Sequence, residues 1–360
     1  MTWIAAALMG ASLALTLAPP HATAKPAPPR HALKPGSPKP LGPRPALIAF
    51  ADDLAAAEGW DAAALRSQLA RALDLPRVKQ LILPAASGTA KDWSAYRSRF
   101  IEPQRLAAGV AFWDAHEAAL ARAESTYGVP AEIVIGILGI ETFYGRITGG
   151  FKVLDALATL AFDFPAAHPR AAERQAFFRA ELAEFLRLCR ENGLDAADVR
   201  GSYAGALGLP QFMPGSWRRH AVDFDGDGRI DLIASPEDAI GSVAHYLAEY
   251  GWRPGEPTHF DLRLPGDADT RARLLAPDIR PSFTAAGLAA AGAELPDAAR
   301  AHTGPLAVIE LQNGSQQQPT VLLGTQNFWV VTRYNWSAYY ALAVIELGQA
   351  VKAQRPQAAR

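Results

Sequence analysis

Glu141 is a carboxylate at the end of the apolar run Ala131-Glu132-Ile133-Val134-Ile135-Gly136-Ile137-Leu138-Gly139-Ile140, and Thr142-Phe143-Tyr144-Gly145 follow it. Pro130 suits a first helical turn, and the run is long enough for a buried helix. On such a helix Ile137 and Leu138 lie one turn before Glu141 and Tyr144 lies three residues after it. The carboxyl therefore shares its face with apolar and aromatic groups, where desolvation disfavours the anion. A carboxylic acid kept protonated near neutral pH is what glycosidic-bond cleavage requires of its general acid. The same stretch also fits a structural Glu paired with a buried Arg or hydroxyl.

Two further segments carry chemistry. Gly201-Ser202-Tyr203-Ala204-Gly205-Ala206-Leu207-Gly208-Leu209-Pro210-Gln211-Phe212-Met213-Pro214 reads as a loop leading into a turn. Its glycines permit φ > 0 and close backbone approach, while Ser202, Gln211 and Phe212 supply a hydroxyl, an amide and an aromatic face, a mixture that suits sugars. A glycine-rich loop that only packs on a helix is the plainer alternative. Asp223-Phe224-Asp225-Gly226-Asp227-Gly228-Arg229-Ile230-Asp231 reproduces the first nine positions of an EF-hand loop, with oxygens at 1, 3, 5 and 9, a glycine at 6 and an apolar residue at 8. Such oxygens at this spacing suit Ca2+ as a structural ion. Ala234 stands where the bidentate glutamate of position 12 is expected, so a solvated acidic turn stays open.

Together with Gly139-Ile140-Glu141-Thr142, Asp238-Ala239-Ile240-Gly241-Ser242-Val243-Ala244-His245-Tyr246 and Thr332-Arg333-Tyr334-Asn335, these segments resemble the B-type lytic murein transglycosylases from about Tyr96 to Val351. The resemblance implies cleavage of the β-1,4 bond between N-acetylmuramic acid and N-acetylglucosamine without water. The muramic C6 hydroxyl attacks C1 and leaves a 1,6-anhydro ring, and one carboxyl, Glu141, acts as acid and then as base. It implies that Ser202 hydrogen-bonds Glu141 and that Gln211 and Phe212 line the saccharide cleft. Tyr96, Tyr246, Tyr334, Asn335 and Tyr340 match cleft residues, and each tyrosine equally fits core packing with a satisfied hydroxyl. Arg174 matches only part of a pair of arginines facing the stem peptide, because Glu173 precedes it. In the metal loop, the resemblance adds Asp238 and the Arg229 carbonyl to Asp223, Asp225 and Asp227 as ligands.

Positioning these groups falls to a mainly helical chain. Alanine-rich amphipathic runs at 46 to 73, 104 to 126, 171 to 191, 236 to 250 and 336 to 353 predict helices. Leu306 to Leu311, Thr320 to Leu323 and Phe328 to Thr332 predict short strands, and 256 to 305 reads as irregular. The expected fold is mainly α (α+β), a lysozyme-like catalytic core with an EF-hand-like calcium loop, flanked by a helical subdomain and small β elements. The expected division is a signal peptide over 1–24, a Pro-rich basic linker over 25–45, an N-terminal helical region over 46–124, the core over 125–255 and a C-terminal α/β segment over 256–360.

At 360 residues and 49% hydrophobic content the chain can bury a sizeable core, and a formal net charge of −1 argues against a nucleic-acid partner. Residues 3 to 18 are apolar and precede Ala22-Thr23-Ala24, a small-x-small site, which predicts export to the periplasm of a Gram-negative bacterium with cleavage near Ala24. The single cysteine, Cys189, sits in a helical run, so neither a lipid anchor nor an internal disulfide is expected. The partners to expect are peptidoglycan glycan strands and other cell-wall enzymes, with the protein itself a monomer and no cofactor needed for catalysis. A goose-type lysozyme-like hydrolase and a non-catalytic peptidoglycan-binding scaffold are the competing functions.

Overall fold

The apolar run around Glu141 forms the helix Ala131–Thr142, and its sides are buried almost all round. In the computed structural model, which describes residues 37–84, 91–264, 267–315 and 317–355, this helix lies antiparallel against Ala338–Gln354. Glycines set the approach. A Cβ on Gly136 would fall 2.1 Å from the Val344 carbonyl oxygen, and one on Gly348 would fall 1.9 Å from that of Glu132. Each glycine sacrifices about 1 kcal/mol of helix propensity relative to alanine. The close backbone contact offsets that loss, and its register places Tyr340 beside Glu141.

Outside this pair, Val153–Phe162 packs on the long helix Ala171–Glu191. Asp155 and Thr159 on the former accept the Leu73 and Leu75 amides at 2.8 and 2.9 Å, tying the N-terminal region down. The run expected at 46 to 73 is two helices, Pro45–Glu58 and Ala62–Arg71, because Gly59 turns left-handed and Asp61 caps the second. His116 likewise divides the run at 104 to 126 into Pro103–Ala115 and Glu117–Tyr127. The linker expected to reach residue 45 ends earlier. Lys39–Pro40 pairs with Leu73–Asp74, Leu41 joins the core, and Arg44 donates to the Leu41 carbonyl at 3.0 Å. The signal peptide expected over 1–24 and the expected linker up to residue 36 lie outside the described residues.

One three-stranded antiparallel sheet, ordered His259–Asp261, Gln317–Gly324, Ala307–Asn313, divides the apolar side chains of the C-terminal segment. Along Ala307–Asn313, Ala307, Ile309 and Leu311 face the main core, whereas Val308 faces a second cluster with Leu262, Leu274, Leu288 and Leu323. This is the alternation of a two-sided strand. Residues 256 to 305, read as irregular, wrap the second cluster with the helices Ala268–Leu275, Ala285–Ala290 and Asp297–Arg300. Phe328 to Thr332 is not a strand but part of the helix Gln326–Tyr334. Its β-branched run is buried on several sides, so periodicity does not discriminate there, and Thr325 accepting the Asn327 amide starts a helix.

Gly136→Ala and Gly348→Ala should each destabilise the protein by about 1–3 kcal/mol or more in urea unfolding. Gly150→Ala, which meets nothing within 4 Å, should stay within about 0.5 kcal/mol of the parent. Equal effects at all three positions would mean that the helix contact is not tight.

Candidate active site

Glu141 occupies the last turn of its helix, which ends because Phe143 and Tyr144 adopt left-handed backbone angles with φ of 53° and 57°. Neither is a glycine, so the turn holds strain of order 1 kcal/mol or more per residue. Surrounding contacts keep it in place. Thr142 donates to the Leu209 carbonyl at 2.8 Å and accepts the Gly145 amide at 3.0 Å. Arg105 donates to the Gly139 carbonyl at 3.0 Å, with its guanidinium 4.6 Å from the centre of the Phe143 ring. A cation there also complements the helix C-terminus. Neither Arg105 nor Thr142 was anticipated from sequence, although Thr142 adjoins the carboxylate.

The Tyr340 hydroxyl donates to Glu141 Oε1 at 2.6 Å. Burial pushes the Glu141 carboxyl up to about 7, and the Tyr340 hydrogen bond pulls in the opposite direction. The residue is not fully enclosed and still touches solvent. Burial, and then the nearby Glu141 charge, lifts Tyr96 to about 12 and raises Tyr334 and Tyr340 well above the ordinary tyrosine value. These tyrosines are therefore neutral donors that do not compete for the proton.

Aromatic rings cluster beside the carboxyl. Tyr334 stacks on Tyr340, Phe212 lies 5.8 Å from Tyr334 and 5.4 Å from Tyr246, and Tyr246 meets Tyr334 edge-on at 5.1 Å. Their hydroxyls are anchored: Tyr246 donates to the Arg333 carbonyl at 2.7 Å and Tyr334 to that of Pro210. Tyr96 is held by Trp93 and Tyr339. Asn335 follows directly on Tyr334, where the helix Gln326–Tyr334 ends.

The glycine-rich loop reaches the site because Phe151–Lys152 pairs with Arg200–Gly201. Gly149 is required there, with φ of 100° and no room for a Cβ, which would lie 2.2 Å from the Gly201 oxygen. Ser202 Oγ accepts the Ala206 and Ala204 amides at 2.9 and 3.3 Å, so it braces its own loop, and the hydrogen bond on Glu141 comes from Tyr340 instead. Gln211, at φ 53°, donates to the Thr148 and Gly208 carbonyls at 3.0 and 2.9 Å and bridges the two sides of the loop. Arg174 is 6% exposed, with its guanidinium 5.0 Å and 4.9 Å from the Phe177 and Phe178 ring centres. Neither Asp155 nor Asp163 is free to serve as a second acid, since they engage the Leu73 amide and Lys79.

One carboxylate oxygen from each of Asp223, Asp225 and Asp227 lies within 4.8 Å of the others. Gly226 and Gly228, at φ of 82° and 87°, turn the backbone around them. Three convergent exposed carboxylates fit a hard divalent cation. Asp238 does not join this group. It is 1% exposed and accepts the Phe224, Asp225 and Asp231 amides at 2.6, 3.3 and 2.7 Å, closing the loop through backbone contacts where the resemblance implied a ligand. The Arg229 amide donates to Asp227 at 2.8 Å. Behind the loop, the Leu232 carbonyl accepts the Leu209 amide at 2.8 Å, linking it to the segment that holds Thr142.

A protein-family model described as "Transglycosylase SLT domain" matches residues 43–349. The chain belongs to this transglycosylase family. The membrane-bound lytic murein transglycosylase B of Escherichia coli K12 is 39% identical over 316 residues, 86% of this chain and 83% of that protein. The crystal structure of the soluble lytic transglycosylase SltB1 from Pseudomonas aeruginosa is 40% identical, with a TM-score of 0.76 over 86% of this chain and 99% of that one. The Escherichia coli lytic transglycosylase Slt35, in a structure described as a complex with calcium, is 36% identical with a TM-score of 0.74, covering 87% and 96%. The lysozyme-like, mainly helical fold of the lytic transglycosylases is thus the fold of this chain.

In this transglycosylase the Tyr340 bond favours the charged form of Glu141, so Tyr340→Phe should carry the carboxyl further above about 7. A general acid is lost as pH rises through its pKa, so the alkaline limb of the pH–activity profile should move to higher pH. An unmoved limb, at whatever residual rate, would detach Glu141 from that limb.

Proposed function

We propose that this protein cleaves the β-1,4 bond between N-acetylmuramic acid and N-acetylglucosamine in peptidoglycan without water, using Glu141 alone. The protonated carboxyl gives its proton to the glycosidic oxygen as the bond to muramic C1 breaks. The muramic C6 hydroxyl then forms a new bond to C1 and yields its proton to the Glu141 carboxylate, which restores the acid and leaves a 1,6-anhydro end. A group poised at about 7 holds both protonation states near neutral pH, and this observation carries the reading. Tyr340 steadies the anion between the two steps, and the partly exposed rings of Tyr96 and Tyr334, backed by the buried Phe212 and Tyr246, give sugar faces a surface to stack on. A hydrolase with two carboxylates needs a base or nucleophile across the sugar, and Asp155 and Asp163 are both engaged elsewhere.

The supporting roles follow the geometry. Ser202 and Gln211 fix the loop that forms one side of the cleft, Asn335 extends the wall beyond Tyr334, and Arg174 would face the stem peptide only if it left its phenylalanine shelf. Asp223, Asp225 and Asp227 would hold Ca2+, with the Arg229 carbonyl beside them and Asp238 shaping the loop. A bound ion there would brace the loop behind Leu209 and supply no catalytic step. Among the described residues no helix is long and apolar enough to cross a membrane. A cleavable export signal before Lys25 and work in the periplasm complete the reading, with the glycan strand as the principal partner.

Mass spectrometry of soluble products from purified sacculi tests the chemistry. Anhydro ends, one water lighter than reducing ends, are expected, and Glu141→Gln should lower their rate by ~10²–10⁴-fold with the fold retained. Reducing ends would move the protein to the hydrolases, and a variant with near-parental turnover would remove Glu141 as the acid.

Calcium should raise the thermal midpoint by an increment that Asp225→Ala abolishes. A ligand at 100 times its Kd stabilises the folded state by about 2.7 kcal/mol. Melting curves unchanged by chelator would leave the segment an ordinary acidic turn.

A further inference from the structure

Beside the tyrosine walls lies a guanidinium for which the cleavage chemistry has no use. Arg333 sits between two indoles, 3.6 Å from the Trp329 ring centre and 4.2 Å from that of Trp336, and the indoles meet edge-on at 5.2 Å. Trp329 and Arg333 are four residues apart on the helix Gln326–Tyr334 and so share a face, one step round from the face of Tyr334. The guanidinium is poorly satisfied. Its NH2 group donates to Thr332 Oγ1 at 3.1 Å, and its buried Nε has no hydrogen-bond partner among the described residues. The charges acting on it come from Tyr246, Tyr250 and a second arginine, Arg280, and burial lowers it to about 10. Arg280 is exposed, with its guanidinium 5.6 Å from the Trp336 ring centre.

Buried cations are normally paired with an acid, and an arginine fork matches a carboxylate bidentately. Here the two indoles cover the guanidinium and cost it solvation, while no acid among the described residues pairs with it. The site adjoins the Glu141 cluster, because the Arg333 carbonyl anchors Tyr246 and the next residue, Tyr334, stacks on the Tyr340 that holds Glu141.

We propose that Arg333 and Arg280, shelved on Trp329 and Trp336, form a carboxylate-binding subsite at the rim of the cleft that selects anionic over neutral glycan strands. This rests on the glycan-cleaving function proposed above and adds a specificity determinant to it. The carboxylate has two sources in such a strand, the lactyl group of an unsubstituted muramic acid and the stem peptide of a substituted one.

Calorimetric binding to full-length Glu141→Gln protein, which leaves its ligands uncut, separates them. The ligands are an alternating N-acetylglucosamine–N-acetylmuramic acid tetrasaccharide with free lactyl groups, the same sugar bearing stem peptides, and a neutral N-acetylglucosamine tetramer. Adding Arg333→Gln or Arg280→Gln should weaken at least one anionic ligand by about tenfold or more and leave the neutral tetramer within about twofold. Loss confined to the unsubstituted sugar assigns the lactyl carboxylate, and loss confined to the peptide-bearing sugar assigns the stem. Equal loss for the neutral tetramer, or no loss for either anionic ligand, overturns the subsite. Arg280 is exposed, so Arg280→Gln decides the outcome if Arg333→Gln fails to fold. The cleavage chemistry is judged separately, by the end-group mass of the products of the unsubstituted protein.

Discussion

Everything at the site depends on how closely two helix backbones approach. Gly136 and Gly348 let the helices Ala131–Thr142 and Ala338–Gln354 pack with no side chain between them at those points. Any Cβ there would meet a carbonyl of the other helix at about van der Waals overlap, and rigid helices answer such a clash by moving apart as units. The same contact fixes the register in which Tyr340 meets Glu141. A separation of even an ångström would lengthen that hydrogen bond and admit water to the carboxyl.

Two opposing effects then set the proton. Burial among aromatic rings raises the Glu141 carboxyl, the Tyr340 hydroxyl restrains the rise, and their balance lies near neutrality. With full burial and no donor the group would be an acid unable to become a base. With several donors and open solvent it would be an ordinary ionised glutamate. The left-handed turn at Phe143 and Tyr144 belongs to the same arrangement, because it ends the helix immediately after the acid and hands Thr142 to the Leu209 carbonyl. From Leu209 one hydrogen bond leads to Leu232, so the acidic loop braces the glycine-rich segment from behind.

Much of this was legible in the sequence wherever the signal is local. An acid closing an apolar helix, glycines where the backbone must turn left-handed, and aspartates at alternate positions all speak within a few residues. What was missed is long-range. Tyr340 could be matched to a cleft by resemblance, but its bond to Glu141 spans 199 residues of chain and depends on helix register, which no local pattern encodes. Ser202 was expected on Glu141 and instead braces its own loop, since its nearest donors are the amides its own turn presents. Asp238 is a ligand by resemblance, yet burial surrounds it with backbone amides. Phe328 to Thr332 reads as a strand because β-branched residues buried on several sides lose their helical period, and the Thr325 cap is the cue that outweighs them.

A single carboxyl at position 141 is held near neutrality by burial against one tyrosine hydroxyl. Infrared difference titration of the substrate-free protein, with Glu141→Gln subtracted to isolate the one carboxyl band, measures this directly. A protonated-carboxyl band that disappears with a midpoint near pH 7 is expected. A midpoint close to the unperturbed glutamate value of about 4.3, in protein that is fully active, would contradict it.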